Sequence, residues 1–284
     1  MINIVDIRYV RMGTRDLAKA ERFGTEMLGL EVVGRSADRL YMRGDSRDHN
    51  VCYFDGDPKD HTLGFEIGTK DELDDAAREL EEHGVKVRRG SAEECADRRV
   101  MAFVNFRDPT GNSVDLCLRP FHSGRRYFPS RDAGILEFSH VGLKTSDAPR
   151  DEAFWTSLFN IRPNDWIGPA PLLSFDAVHH RMALFPSTEA GVQHINFQVA
   201  SIDDIMRSYY YLTDRQVRIV FGPGRHGSSG AMFLYFEGPD GMVFEYSHGV
   251  RLIDDPNYRP RQFPFTSESF CMWGAKPDVP EFRT

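Results

Sequence analysis

The chain has 284 residues, 40% of them hydrophobic and 27% charged. These ordinary globular proportions exclude a disordered or fibrous chain, and at about 100–200 residues per domain they predict two domains. With 35 Lys and Arg against 43 Asp and Glu, the net charge of −8 offers no general attraction to phosphate backbones or anionic lipid.

No run approaches the ~18 apolar residues that a membrane span needs. The opening MINIVDIRYVRMGTRDL is charged throughout, where a signal peptide needs an apolar block. Cys52, Cys95, Cys117 and Cys271 have neither CxxC spacing nor the density of a disulfide scaffold. A cytoplasmic protein is expected, with neither nucleic acid nor membrane as partner.

Residues 4–12 alternate as a strand. Residues 16–28 then read as an amphipathic helix, with Asp16 as N-cap, Leu17, Ala20, Phe23 and Met27 on one face, and Gly29 as its stop. LEVVG, RLYMRG and NVCYF follow as short strands. HTLGFEI opens the same order again, with a charged helix over 70–83, a stop at Gly84, and strands in VKVRRG, MAFVNFRD and NSVDLCL. The unit is therefore strand, helix and three strands. FHSGRRYFPSRDAG, within 120–135, has turn and basic character without a clean period and marks a join.

Beyond the join the chain repeats itself. DPTGNSVDL at 108–116 matches GPDGMVFEY at 238–246, aligning Asp115 with Glu245 at an offset of 130. YVRM from Tyr9 matches HVGL from His140 at 131, and LGFEIGT from Leu63 matches INFQVAS from Ile195 at 132. Two similar α+β domains are predicted, 1–130 and 131–284, each of two βαβββ units. The tail after Val250, with its prolines and aromatics, reads as an extended segment packed on the second domain.

His49, His61, His83 and His122 lie beside charged or turn residues and read as solvated. His140 in LEFSHVGL, His194 in VQHINFQV and Glu245 in MVFEYSH instead occupy strand interiors at repeat-equivalent places. An uncompensated carboxylate there is expensive, and imidazoles there need partners. Two imidazoles and one carboxylate on one face of a divalent ion make a facial triad with open positions, the arrangement of non-heme Fe(II) oxygenases. The first half has Tyr9, Thr62 and Asp115 at the matching positions, a carboxylate without imidazoles, so no metal site is expected there. His248 follows Glu245 by three residues and falls on the opposite strand face.

The segment GRHGSSGAMFLYFEGPDGMVFE, from Gly224 to Glu245, combines Gly-x-His, seven intervening residues, an aliphatic residue, Tyr, Pro-x-Gly and a Glu four residues later. With HHRMALFP at 179–186 and the paired halves, the whole chain resembles the type I extradiol ring-cleaving dioxygenases of the vicinal oxygen chelate superfamily, of the 2,3-dihydroxybiphenyl 1,2-dioxygenase kind. One position departs: Gly238 stands where that family has a small polar, acidic or Ala residue before the proline.

The resemblance implies a curved mixed sheet around a pocket in each domain, with the metal in the second. It implies Fe(II), with Mn(II) as the variant metal, held by His140, His194 and Glu245, and O₂ as co-substrate. It implies His180 as the acid–base residue and His226 and Tyr235 as hydrogen-bonding partners of the substrate oxygens. His179, next to His180 on the expected strand, points away from it by alternation and reads as structural. The implied reaction is extradiol (meta) cleavage of a catechol-type aromatic in aromatic catabolism, by a homo-oligomer. Leu172, Leu173, Phe175, Ile195 and Phe265 are candidate neighbours of the ring. The same architecture also resembles glyoxalases, epimerases, hydroxyphenylpyruvate-type dioxygenases and metal-free proteins that sequester small molecules.

Overall fold

The computed structural model describes residues 1–283. The first half runs β1 (Ile4–Thr14), α1 (Leu17–Arg22), β2 (Glu31–Arg35), β3 (Arg39–Arg43), β4 (Val51–Asp55), β5 (His61–Ile67), α2 (Lys70–Glu82), β6 (Arg88–Arg89), α3 (Ala92–Arg98), β7 (Val100–Arg107) and β8 (Ser113–Pro120). The second runs β9 (Ile135–Thr145), α4 (Ala148–Leu158), β10 (Arg162–Ile167), β11 (Ala170–Ser174), β12 (Met182–Pro186), β13 (Val192–Val199), α5 (Ile202–Asp214), β14 (Ile219–Arg225), β15 (Met232–Glu237) and β16 (Val243–His248). The tail adds β17 (Arg261–Phe263) and α6 (Ser267–Phe270). The βαβββ order recurs four times, as the periodicity predicts.

Two local features depart from the sequence reading. The 16–28 helix is α-helical only to Arg22 and continues as a π-helical turn over Phe23–Leu28, ending on a left-handed Gly29. Most of VKVRRG is not strand, and SAEECADR forms α3. Ser91 caps that helix by accepting from the Glu94 N–H, while the Glu94 carboxylate accepts from the Ser91 N–H. This reciprocal pair satisfies two N–H groups that a helix start otherwise leaves bare.

Each half forms one mixed sheet, ordered β2-β3-β4-β1-β5-β8-β7-β6 in the first and β14-β15-β16-β13-β9-β12-β11-β10-β17 in the second. The long strands β1 and β9 each pair antiparallel with β5 and β13, and parallel with β4 and β12. Strand alternation then sorts the side chains. On β15, Leu234 and Phe236 join a large core common to both halves, while Phe233 and Tyr235 join a separate apolar cluster with Phe185, Phe221, Phe270 and Phe282.

The common core is built by reciprocal aromatic contacts. Trp155 of α4 meets Phe65 of β5 and Phe106 of β7, at ring-centroid distances of 6.0 and 6.1 Å. In return, Phe23 meets Phe236 and Phe244 across the join. The Ile2 N–H donates to Leu158 O, and the Asn160 N–H donates back to Ile2 O. The halves therefore share buried surface, which predicts that they unfold as one cooperative unit. Trp155→Ala is expected to cost about 3–5 kcal/mol, with coincident urea transitions in tryptophan fluorescence and far-ultraviolet circular dichroism. Trp155→Phe, which discards an indole N–H that meets no acceptor, should cost under about 1.5 kcal/mol.

Candidate metal centre

In the second sheet, register sets Asn196 of β13 between His140 of β9 and Glu245 of β16. Residues opposite one another on paired strands share a face, as do residues two apart on one strand. His140, His194 and Glu245 thus point the same way from three adjacent strands, and all three are buried. His140 Nε2 lies 3.0 Å from Glu245 Oε2, and His194 Nε2 lies 3.3 Å from the same oxygen. One ligand atom from each lies within 4.8 Å of the others.

The trio fits a first-row divalent cation. Cis donors on an octahedral ion with ~2.1 Å bonds stand about 3 Å apart. His194 Nε2 is buried with no hydrogen-bond partner, while Nδ1 of the same ring is held by the Gln193 side-chain oxygen. The Nδ1–H therefore donates to Gln193, and Nε2 keeps the lone pair a metal requires. Gly142 makes room for this ring, since a Cβ there would stand 2.5 Å from His194 Nδ1. His140 Nδ1 is buried without a partner.

Electrostatics follow from burial and proximity. Burial opposes ionisation of Glu245, but His140, with His194 and His226, holds its carboxyl well below the usual range. Burial pushes His140 down to about 4 against the pull of Glu245. Burial, then His140 and His179, push His180 well below the ordinary imidazole value. Burial, reinforced by Glu245, raises the Tyr235 phenol well above its ordinary value. The buried Glu245 anion thus lies beside neutral His140 and His180.

The structure brings His180, His226 and Tyr235 to the same place. The His180 ring centroid is 4.2 Å from that of His140, and Tyr235 is 5.2 Å from His194. His226 Nε2 stands 3.3 Å from the Tyr235 hydroxyl and 3.5 Å from Glu245 Oε1. Its Nδ1 bonds Phe270 O at 2.8 Å, so the tail closes over the site and fixes the ring. Phe233 stacks on His226 at 3.9 Å.

Several expectations need correction. His179 is not turned away from His180: their Nδ1 atoms are 3.1 Å apart, because the pair lies in a loop before β12 and escapes strand alternation. His49 is buried, stacked on Tyr9 and bonded to Asp48, and His61 is half-buried, its Nδ1 accepting the Val192 N–H. Of the candidate ring neighbours, Leu172 and Phe265 belong to the cluster around Tyr235, whereas Leu173, Ile195 and Phe175 pack into the common core on the other face. The reading also missed Gln193 and Asn196, which stand out as polar side chains inside an apolar strand, and Asp165, which only the fold brings near His179.

The first half fills the equivalent place with protein. Tyr9 of β1 and Asp115 of β8 flank Gly64 in register. Asp115 accepts from the Tyr9 hydroxyl at 3.0 Å, Arg98 Nε at 2.6 Å and Asn105 Nδ2 at 2.9 Å. Arg98 comes from α3, the helix that has no counterpart in the second half. A charged cleft of about 550 Å³ between the halves, walled by Lys59, Lys144, Arg218 and Asp278 among others, does not include the triad.

Comparison with known proteins agrees with this architecture. The chain is 25% identical over 270 positions to a 1,2-dihydroxynaphthalene dioxygenase of Sphingobium xenophagum, covering 88% of this chain and 90% of that one. It is 26% identical over 295 positions to an iron-dependent extradiol dioxygenase of Rhodococcus jostii, covering 96% and 97%. The crystal structure of a halotolerant catechol dioxygenase superposes with a TM-score of 0.88 at 22% identity, over 100% of this chain and 98% of that one. The Glyoxalase/Bleomycin resistance protein/Dioxygenase superfamily model matches twice, over residues 6–116 and 137–246. The doubled βαβββ halves are two copies of that module, and the chain belongs to this superfamily.

Proposed function

We propose that the chain is an Fe(II)-dependent extradiol dioxygenase, which opens a catechol-type ring beside its vicinal hydroxyls and delivers both atoms of O₂ to the product, in aromatic catabolism. The observation that carries this reading is the buried convergence of His140, His194 and Glu245 with His180, His226 and Tyr235 around it.

His140 Nε2, His194 Nε2 and the Glu245 carboxylate would hold the iron, and manganese suits the same donors. When bound, Fe(II) supplies the redox route between a closed-shell catechol and triplet O₂, which zinc, without an accessible redox change, does not.

The remaining work falls to protein groups. His226 donates Nδ1–H to Phe270 O, which turns Nε2 toward a substrate hydroxyl. Tyr235, kept protonated by burial and Glu245, donates to the substrate oxygen on the same side. His180, kept neutral by burial and the adjoining imidazoles, takes a catechol proton at Nε2 and returns it as the ring opens. Phe185, Phe221, Phe233, Phe270 and Phe282 exclude water and offer apolar walls to the ring.

The same proposal takes residues 1–130 as a domain without a metal and 131–284 as the catalytic domain with its tail. It takes the protein to be cytoplasmic and a homo-oligomer, for which the exposed Leu252, Met272 and Trp273 of the tail provide apolar surface. No helix among the described residues is long and apolar enough to cross a membrane.

Anaerobically purified protein given Fe(II), a catechol and then air should turn yellow and consume one O₂ per catechol; an isomerase or a sequestering protein would do neither. Glu245→Gln should lose most of its iron by metal analysis. His180→Phe should keep its iron while kcat falls by about 10²–10⁴; iron lost in proportion to activity would instead make His180 a ligand.

A further inference from the structure

His179 is fully buried, and the reaction as described leaves it idle. Its backbone is pinned, the N–H donating to Arg251 O and the carbonyl accepting from Asn164 Nδ2 at 2.8 Å. Both ring nitrogens are engaged as well. Nδ1 lies 3.1 Å from Nδ1 of His180, and Nε2 lies 2.8 Å from Oδ2 of Asp165. Asp165, on β10, is also fully buried. Its Oδ1 accepts from the Tyr258 hydroxyl at 3.0 Å, the Arg261 backbone N–H at 2.7 Å and Arg261 Nε at 3.2 Å. Its Oδ2 accepts from the Arg261 guanidinium at 2.6 Å.

These contacts leave one consistent placement of protons. Burial works against the Asp165 charge, but hydrogen bonds from His179 and Arg261 hold its carboxyl at about 2. A carboxylate only accepts, so the proton of His179 sits on Nε2. Burial keeps His179 neutral, which leaves its Nδ1 a bare acceptor. Two facing nitrogens form a hydrogen bond only if one of them carries the proton, and that one must be His180 Nδ1.

We propose that Asp165 and His179 are positioning residues that fix the proton of His180 on Nδ1, so that His180 presents an unprotonated Nε2 to the catechol hydroxyl. The inference rests on the acid–base role proposed above for His180. It makes the tail part of the device, since Tyr258 and Arg261 orient the carboxylate at its far end.

Asp165→Asn tests it with almost no change of size. The three donors at the Oδ1 position would claim the amide oxygen, and the amide nitrogen would lose the Arg261 guanidinium contact that Oδ2 accepts and donate to His179 Nε2. The proton of His179 would then move to Nδ1, and that of His180 to Nε2. In the full chain labelled with ¹⁵N-histidine and loaded with diamagnetic zinc, proton–nitrogen correlation should read His180 as Nδ1–H in the wild type and Nε2–H in Asp165→Asn. With Fe(II), kcat of the variant should fall by about 10²–10⁴ while KM stays within about threefold.

A second pair of variants covers the case in which Asp165→Asn does not fold. His179→Gln keeps an acceptor toward His180 and a donor toward Asp165 and should retain most activity, whereas His179→Leu should lose it. A wild-type His180 with its proton on Nε2, an unchanged tautomer or kcat in Asp165→Asn, or equal losses with Gln and Leu at 179 would each overturn the proposal. If the wild type cleaves no catechol, the function reading fails, and the tautomer read in the zinc-loaded chain still decides the proton placement.

Discussion

The carboxylate of Glu245 is the constraint on which the second half is organised. It is almost wholly out of water, 1% exposed. A buried ion left unpaired costs several kcal/mol even after relaxation. Three imidazole nitrogens stand within 3.5 Å of its two oxygens. Burial keeps His140 neutral, and a neutral ring offsets a charge only partly. A divalent cation would complete the balance, so the packing as much as the identity of the side chains favours the metal site proposed above.

The two halves answer the same demand in different ways. Asp115 is as buried as Glu245 and holds the equivalent register position, but its charge is met by a guanidinium and a phenol. The guanidinium arrives on α3, a short helix that lies between β6 and β7. Gly64 admits the phenol, since a Cβ at that position would stand 2.4 Å from the Tyr9 ring. One fold therefore yields an electrostatically closed centre in one copy and a centre that fits a cation in the other, through a few differing residues and a short helix formed within a stretch of nearly equal length.

Much of this was legible in the sequence. The repeat offsets of 130–132 align the three strand pairs that register brings together, because strand alternation leaves little freedom for a polar side chain in an apolar strand. The βαβββ order, the ligand trio and the family resemblance all rest on such local patterns. What escaped depends on loops and long-range contacts. His179 and His180 sit outside any strand, so alternation says nothing of their directions. Asp165 and Arg261 are separated by 96 residues and meet only when β17 pairs with β10. His49 looked solvated because its neighbours in sequence are charged, yet Arg47 and Asp48 are half-buried and paired with Asp6 and Arg99, and the ring beside them is covered. Leu173 and Ile195, candidate neighbours of the ring, lie in the common core instead, because an apolar residue carries no mark of which core it joins.

The tail has a consequence for how independent the triad is of its surroundings. Phe270 holds His226, and Tyr258 with Arg261 holds Asp165. All three follow β16, the last strand of the doubled repeat, whereas His140, His194 and Glu245 are set by the pairing of β9, β13 and β16. A displacement of the tail would therefore loosen the groups around the triad and leave the register that holds the triad itself intact.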